Sequence, residues 1–284
     1  MRVAEVERAR PLLGTFVSMR VGGLPPARAQ RAIDLAFAEV QAVQRRMSFH
    51  DPDSELSQLN RQAARRAVTV HPQTWRVLAR ALRIAAASGG SFDPSVAPRL
   101  VALGVLPAPA AELAPDPAAD WRDVRLLPGF RVRFRRPLWL DLGGIAKGHA
   151  VDRALARLRR CGATTACVDA GGDLRLFGPE EEAVALRGPR GRPRPVVWLR
   201  DGALASSAVE PEDDALSGRV LDGRRGWALA PGRRVTVAAA QAWLADALTK
   251  VVLADPPQAR DVLARCAAQA WLHTPDGGWH RLPR

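Results

Sequence analysis

Residues 12–21 alternate between apolar and polar positions among β-forming side chains, which predicts a strand. The period then lengthens. Across residues 25–47, Ala29, Ile33, Ala36, Phe37, Val40 and Val43 fall on one face of a helix. Residues 48–53 read as a loop, and Ser54-Glu55-Leu56 opens a short helix ending near Asn60. A second amphipathic helix spans 72–88 and stops at Gly89-Gly90. The Pro/Ala-rich stretch 107–117 reads as surface loop, and 124–126, 131–134 and 138–141 as strands. A helix over 147–160, closed by Gly162, leads to strands at 164–168 and 174–177 around Gly171-Gly172. Residues 188–195 form another loop, 235–238 a strand, 240–254 an apolar-faced helix, and 267–272 the last predicted strand. Without a strict βαβ rhythm, the class is α+β: mixed sheets flanked by helices. There is no internal repeat and no low-complexity tail.

Composition narrows the function classes. The chain has 284 residues, 47% hydrophobic and 25% charged, which excludes a mainly disordered protein. The net charge of +13 invites an anionic partner. Yet the arginines are scattered, often in pairs, without interleaved aromatics or a nucleic-acid-binding motif, so no nucleic acid is expected. Of the 42 basic residues only Lys147 and Lys250 are lysine, and a lysine kept in so arginine-biased a chain raises the question why. Cys161, Cys167 and Cys266 are odd in number and lack a CxxC, so they read as small buried hydrophobes rather than a disulfide framework or zinc site. The first eleven residues are charged throughout, with no leader-like apolar stretch or lipobox, and no run is long enough to span a membrane. The expectation is a cytoplasmic, soluble protein.

Four segments carry candidate chemistry. In residues 138–152, LWLDLGGIAKGHAVD, a strand ends at Asp141, two glycines follow, and a helix opens near Lys147. Glycines admit close backbone approach, and a helix N-terminus offers N–H groups and positive dipole, so a phosphate or pyrophosphate suits it. A plain strand–turn–helix corner is the alternative. In residues 168–175, VDAGGDLR, the glycines fit a hairpin turn. In residues 88–95, SGGSFDPS, a glycine-rich loop with an aromatic suits a planar ring, or else a helix cap followed by an Asp-Pro turn. In residues 242–251, AWLADALTKV, Asp246 and Lys250 lie four apart on one face of an apolar helix. That is an intrahelical ion pair or a site, since a buried carboxylate is costly unless paired or holding a metal.

Together these segments resemble the ApbE family of FAD:protein FMN transferases. The similarity runs in order through the Leu-Gly-Thr of 11–16, MSFHDPDSELSQLN over 47–60, GSFDPSVAP over 90–98, then 141–152, 169–178 and 235–251. It implies one ApbE-like, T-fold-like domain over 1–284, with a cleft for FAD and metal between a part ending near residue 135 and a part beginning near 136. It also implies an activity. FAD is cleaved at its pyrophosphate with Mg²⁺, FMN passes to a Thr or Ser hydroxyl of an acceptor flavoprotein, and AMP is released. Carried over by position, FAD would contact Leu13, His50, Ser91, Phe92, Asp93, Asp141, Lys147 and Val220. Leu13 stands for a usual methionine and His50 for a frequent tyrosine, whose stacking an imidazole can still supply. The metal would be held by the Gly144 carbonyl, Asp246 and the residue one turn later.

The chain departs from the family pattern in two places. Threonine is usual one turn after Asp246, but Lys250 stands there, with Thr249 displaced by one. An ammonium has no lone pair and cannot be a ligand. Asp246 and Lys250 are therefore the candidate catalytic pair, with Lys250 either in the cation's place or turned toward phosphate beside a metal on Asp246. Arg219-Val-Leu-Asp-Gly-Arg-Arg-Gly226 replaces a family histidine with Arg219, removing a proton relay and offering a phosphate contact. Besides the transferase, a non-catalytic FAD binder and an FAD pyrophosphatase yielding FMN and AMP remain open.

Overall fold

The computed structural model describes residues 5–188, 194–209 and 220–282. The chain opens with a hairpin of β1 (Val6–Leu12) and β2 (Thr15–Gly22), followed by α1 (Pro26–Met47), α2 (Glu55–Gln62), β3 (Val68–Thr69), α3 (Pro72–Ala87) and α4 (Ala97–Ala102). Next come β4 (Val124–Leu127), β5 (Arg131–Phe134), α5 (Ala146–Arg160), β6 (Thr165–Ala170), β7 (Asp173–Phe177), β8 (Glu182–Ala185), β9 (Val196–Leu199) and β10 (Ala203–Ala208). The last elements are β11 (Leu221–Asp222), β12 (Trp227–Ala228), β13 (Arg234–Ala239), α6 (Ala242–Ala254), α7 (Pro256–Arg265), β14 (Gln269–Thr274) and β15 (Gly278–Arg281).

Eight strands form one antiparallel sheet in the order β1-β2-β6-β7-β10-β13-β14-β15, and β3-β5-β4 form a small separate one. The α+β expectation holds. Helix α1 packs on β1 and β2, α5 on β6 and β7, and α6 on β10 and β13, with α5 between the other two helices. All six residues read from the period of α1 are fully buried beneath it. On the opposite face, Leu176 and Leu204 pack with Leu186, Val197 and Leu199, the last two from β9. The three cysteines are unpaired and half-buried, less enclosed than their composition suggested.

Where the elements differ from the sequence pattern, the cause is local. Strand β1 has no alternating pattern in the sequence, because its middle five residues are all exposed. Its turn is Leu13-Gly14, with φ of +57° and +70°, the positive pair that a two-residue antiparallel turn needs. Residues 138–141 are extended but form no strand. The Asn60 side chain from α2 takes the place of a neighbour, accepting from the Leu140 N–H at 2.8 Å and donating to the Leu140 carbonyl at 3.0 Å. The Asp141 N–H donates to the Pro94 carbonyl at 2.8 Å. The predicted last strand, 267–272, begins two residues later as β14 and is followed by one more, β15.

Helices α5 and α6 are joined by two reciprocal clamps. The Asp152 carboxylate on α5 accepts the Ala242 and Trp243 N–H groups at the start of α6, both at 3.0 Å. The Asp246 carboxylate on α6 accepts the Gly148 N–H in the first turn of α5 at 3.1 Å. Gly148 makes the approach possible, because a Cβ there would overlap the Ala242 carbonyl. Gly148→Ala improves helix propensity by about 1 kcal/mol, but overpacking costs about 1–3 kcal/mol, and so close an overlap lies at the upper end. Urea unfolding is expected to show a net loss of at least about 1 kcal/mol, and a more stable variant would contradict the close crossing.

Candidate active site

A cavity of about 600 Å³ opens where the β1–β2 turn, the end of α1, the loop after α3 and the start of α5 converge. Leu13, His50, Ser91, Phe92, Asp93, Asp141, Gly144, Lys147, Val220 and Lys250 all line it. Asp246 alone of the expected set does not, lying fully buried beneath Lys250. The apolar wall was not anticipated: Val43, Met47, Phe49, Leu100, Val105 and Leu106. Val43 and Met47 carry the helical period of α1 and look like ordinary core, while 105–106 sit in an unpatterned stretch. No sequence signal separates them from structural residues.

The loop after α3 serves both purposes that its sequence left open. Gly89 and Gly90 have positive φ, and the Gly90 N–H donates back to the Ala85 carbonyl at 2.8 Å, closing the helix. The chain then turns Phe92 into the cavity, its N–H bonded to Ser88 Oγ at 3.2 Å. Asp93 Oδ1 accepts both the N–H and the hydroxyl of Ser95 at 2.7 Å. Gly223 backs this loop, donating to the Ser91 carbonyl at 3.1 Å, and a Cβ there would overlap the Gly90 carbonyl. The turn bearing Gly223 is pinned by Arg224, which binds Asp222 at 2.9 Å and Asp255 at 3.0 Å. Arg219 lies outside the described residues.

Burial pushes the Asp93 carboxyl up to about 6 from 3.8. The folded state therefore binds more protons than the unfolded one between those values, and stability falls as pH rises through that window. Asp93→Asn keeps an oxygen for Ser95 and removes the ionisation. Denaturant titrations are expected to show the variant gaining on wild type from pH 4 to about pH 7, and parallel pH profiles would refute this.

The polar end of the cavity rests on two lysine–aspartate pairs. Lys147 Nζ lies 2.8 Å from Asp173 Oδ2, and Asp173, at the start of β7, is 1% exposed. Burial alone would lower the Lys147 ammonium, but Asp173 and Asp246 outweigh it and hold the lysine above its ordinary range. Burial and the nearby Asp246 push Asp173 up. Asp173 and Asp152 carry this framework, yet the sequence offered only their places inside matched motifs. The helix N-terminus is less open to an anion than expected. The Ala146 N–H donates to the Leu142 carbonyl at 2.8 Å, and the Gly148 N–H is taken by Asp246. The Asp141 carboxylate is also turned onto backbone, accepting the Gly143 N–H at 3.1 Å, and burial raises it.

In the second pair, Lys250 Nζ donates to Asp246 Oδ1 at 2.5 Å, to Ser207 Oγ at 3.1 Å and to the Asp246 carbonyl at 3.3 Å. Gly144 lies against both Phe92 and the lysine: a Cβ there would crowd Phe92 at 3.2 Å and touch Lys250 Cε at 3.4 Å. The displaced Thr249 is fully buried, its hydroxyl bonded to the Asp246 carbonyl at 2.6 Å and to Ser207 Oγ at 2.8 Å. The residues present therefore do not fit the magnesium that the resemblance implies. One expected ligand is an ammonium that already holds the Asp246 carboxylate, and the Thr249 hydroxyl is spent on the Asp246 carbonyl and Ser207.

The ApbE family model matches residues 13–272. The chain belongs to the ApbE family. Its curated relatives include proteins named FAD:protein FMN transferase. That of Treponema pallidum is 31% identical over 73% of this chain and 66% of its own length, and that of Rhodobacter capsulatus 30% identical over 63% and 36%. The chain thus spans less than two thirds of the curated relatives it matches. Among solved structures, the ApbE protein of Thermotoga maritima superposes with a TM-score of 0.85 at 24% identity, covering 98% of this chain and 97% of that one. The flavin transferase ApbE of Vibrio cholerae gives 0.80 at 22% identity, covering 98% and 96%. The ApbE fold is shared throughout. No helix among the described residues is long and apolar enough to cross a membrane.

Proposed function

We propose that this chain is an FAD:protein FMN transferase. One observation carries the reading: every position assigned to FAD by resemblance lines one cavity of about 600 Å³ that bears both an apolar wall and two lysines. Phe92, with His50 at the mouth, suits a planar ring, and Lys147 suits the diphosphate. The cavity draws on residues 13–106 and 141–250, which supports a cleft between the two parts of the chain.

In the reaction, the hydroxyl oxygen of a Thr or Ser on an acceptor flavoprotein bonds to the FMN-side phosphorus. The bond from that phosphorus to the bridging oxygen breaks, and its electron pair leaves with AMP, which also carries off the hydroxyl proton. The chain binds FAD, sets the diphosphate against Lys147 and shields it with the apolar wall. Magnesium has no step in this reading, because Lys250 occupies its ligand position. That same lysine favours a second reading, FAD binding without turnover.

Incubation with FAD and an acceptor domain, followed by mass analysis, separates the two. FMN bonded to the acceptor and free AMP are expected. Intact FAD throughout would leave only the binding reading, and AMP formed without acceptor would indicate hydrolysis.

A further inference from the structure

We infer that Lys250 is the resident cation of the cavity, so that FAD binding and cleavage there need no divalent metal. The inference rests on the transferase reading and deepens it. Three oxygen atoms converge on Lys250 Nζ: Asp246 Oδ1 at 2.5 Å, Ser207 Oγ at 3.1 Å and the Asp246 carbonyl at 3.3 Å. A carboxylate, a hydroxyl and a carbonyl gathered in this way are the donor types a hard divalent cation takes. Here the ammonium fills the nest, and its three protons meet its three acceptors.

The hydroxyl network fixes this arrangement. Thr249 gives its proton to the Asp246 carbonyl at 2.6 Å, so Ser207 gives its own to Thr249 at 2.8 Å. Ser207 Oγ is then left with lone pairs toward Lys250, and the hydroxyls present an acceptor to a cation. Asp246 cannot turn away to recruit a metal, because its other oxygen holds the Gly148 N–H at 3.1 Å. A divalent ion reaching Asp246 would meet the ammonium at contact distance and be repelled. Lys250 and Lys147 line the cavity while their partners Asp246 and Asp173 do not, so each ion pair presents its ammonium end to the wall facing the diphosphate. These are also the chain's two lysines.

The charge is supplied by the fold, so the transfer step keeps its balance. The acceptor oxygen bonds to the FMN-side phosphorus, the bond to the bridging oxygen breaks, and AMP departs with that electron pair and the hydroxyl proton. Lys250 and Lys147 offset the charge that gathers on the departing phosphate.

The test has two arms. In the first, Mn²⁺ alone is titrated into the whole protein and free ion is counted by electron paramagnetic resonance. Wild type is expected to take up none at the site, and Lys250→Thr about one ion per chain. Uptake by wild type that Asp246→Asn abolishes would overturn the inference. In the second, FAD cleavage is followed in EDTA and in Mg²⁺. Wild type is expected to change by less than about twofold, and Lys250→Thr to depend on Mg²⁺ by tenfold or more. Wild-type activity lost in EDTA and restored by Mg²⁺ would also overturn it. The wild-type arms need no variant, and Lys250→Gln replaces Lys250→Thr if the latter does not fold. If neither protein cleaves FAD, the transferase reading fails while Mn²⁺ uptake still decides the role of Lys250.

Discussion

Asp246→Ala is expected to destabilise the protein by about 3–5 kcal/mol in urea unfolding and to abolish the proposed flavin transfer. The size follows from where the carboxylate sits. It is fully buried, with one oxygen on Lys250 and the other on the Gly148 N–H. The same pair on a surface helix would contribute about 0.3–0.5 kcal/mol. Removal of the aspartate strands an ammonium whose side chain is 19% exposed and leaves an amide unbonded between two packed helices. The double change Asp246→Ala with Lys250→Met removes both charges and is expected to recover at least half of the loss, since a buried pair replaced by apolar groups is often near neutral. A single-variant loss below about 1 kcal/mol would show that the pair is solvated.

Lys147→Ala is expected to act on stability and on ligand affinity, and the two effects can be separated. Asp173 loses its cation while remaining buried, which costs about 3 kcal/mol at neutral pH. Because Asp173 is already pushed up, the cost is expected to shrink in acid as the carboxyl takes a proton. FAD loses a charged partner worth about 1.5–3 kcal/mol, a weakening of roughly ten- to hundredfold, readable by quenching of flavin fluorescence. Lys147→Ala with Asp173→Asn is expected to restore stability and leave FAD binding weak. Restored binding in the double variant would mean that Lys147 serves only Asp173.

The helices and most strands were legible because one side of each faces the core. Ala29 to Val43 announce α1 by their spacing, and Ser54 and Gly162 mark a start and an end that the structure repeats. Elements failed to show where no such contrast exists. The exposed β1 has none, and residues 138–141 look like a strand because buried Leu138 and Leu140 alternate with half-buried neighbours, although a side-chain amide rather than a strand pairs Leu140. The site divides along the same line. Residues inside dense motifs, such as Phe92, Asp141 and Lys147, could be named. The apolar wall and the role of Asp173 could not, since they depend on which distant segments meet. The Asp246–Lys250 spacing announced an ion pair, but only the position of Ser207 on β10 reveals an oxygen nest around the ammonium.

The hairpin that begins the fold also limits how another polypeptide can approach. Strand β1 ends the eight-stranded sheet, and Pro11 offers no N–H to a further strand. Arg8 and Arg10 extend sideways to Gln30 at 2.8 Å and Asp34 at 2.6 Å on α1, covering the rim with charge. These two arginines are in this sense a barrier to sheet extension rather than a lure for anions. An acceptor polypeptide is accordingly expected to meet this protein through side chains at the cavity mouth, offering its hydroxyl from a turn or loop, rather than by pairing its backbone onto the sheet next to Leu13.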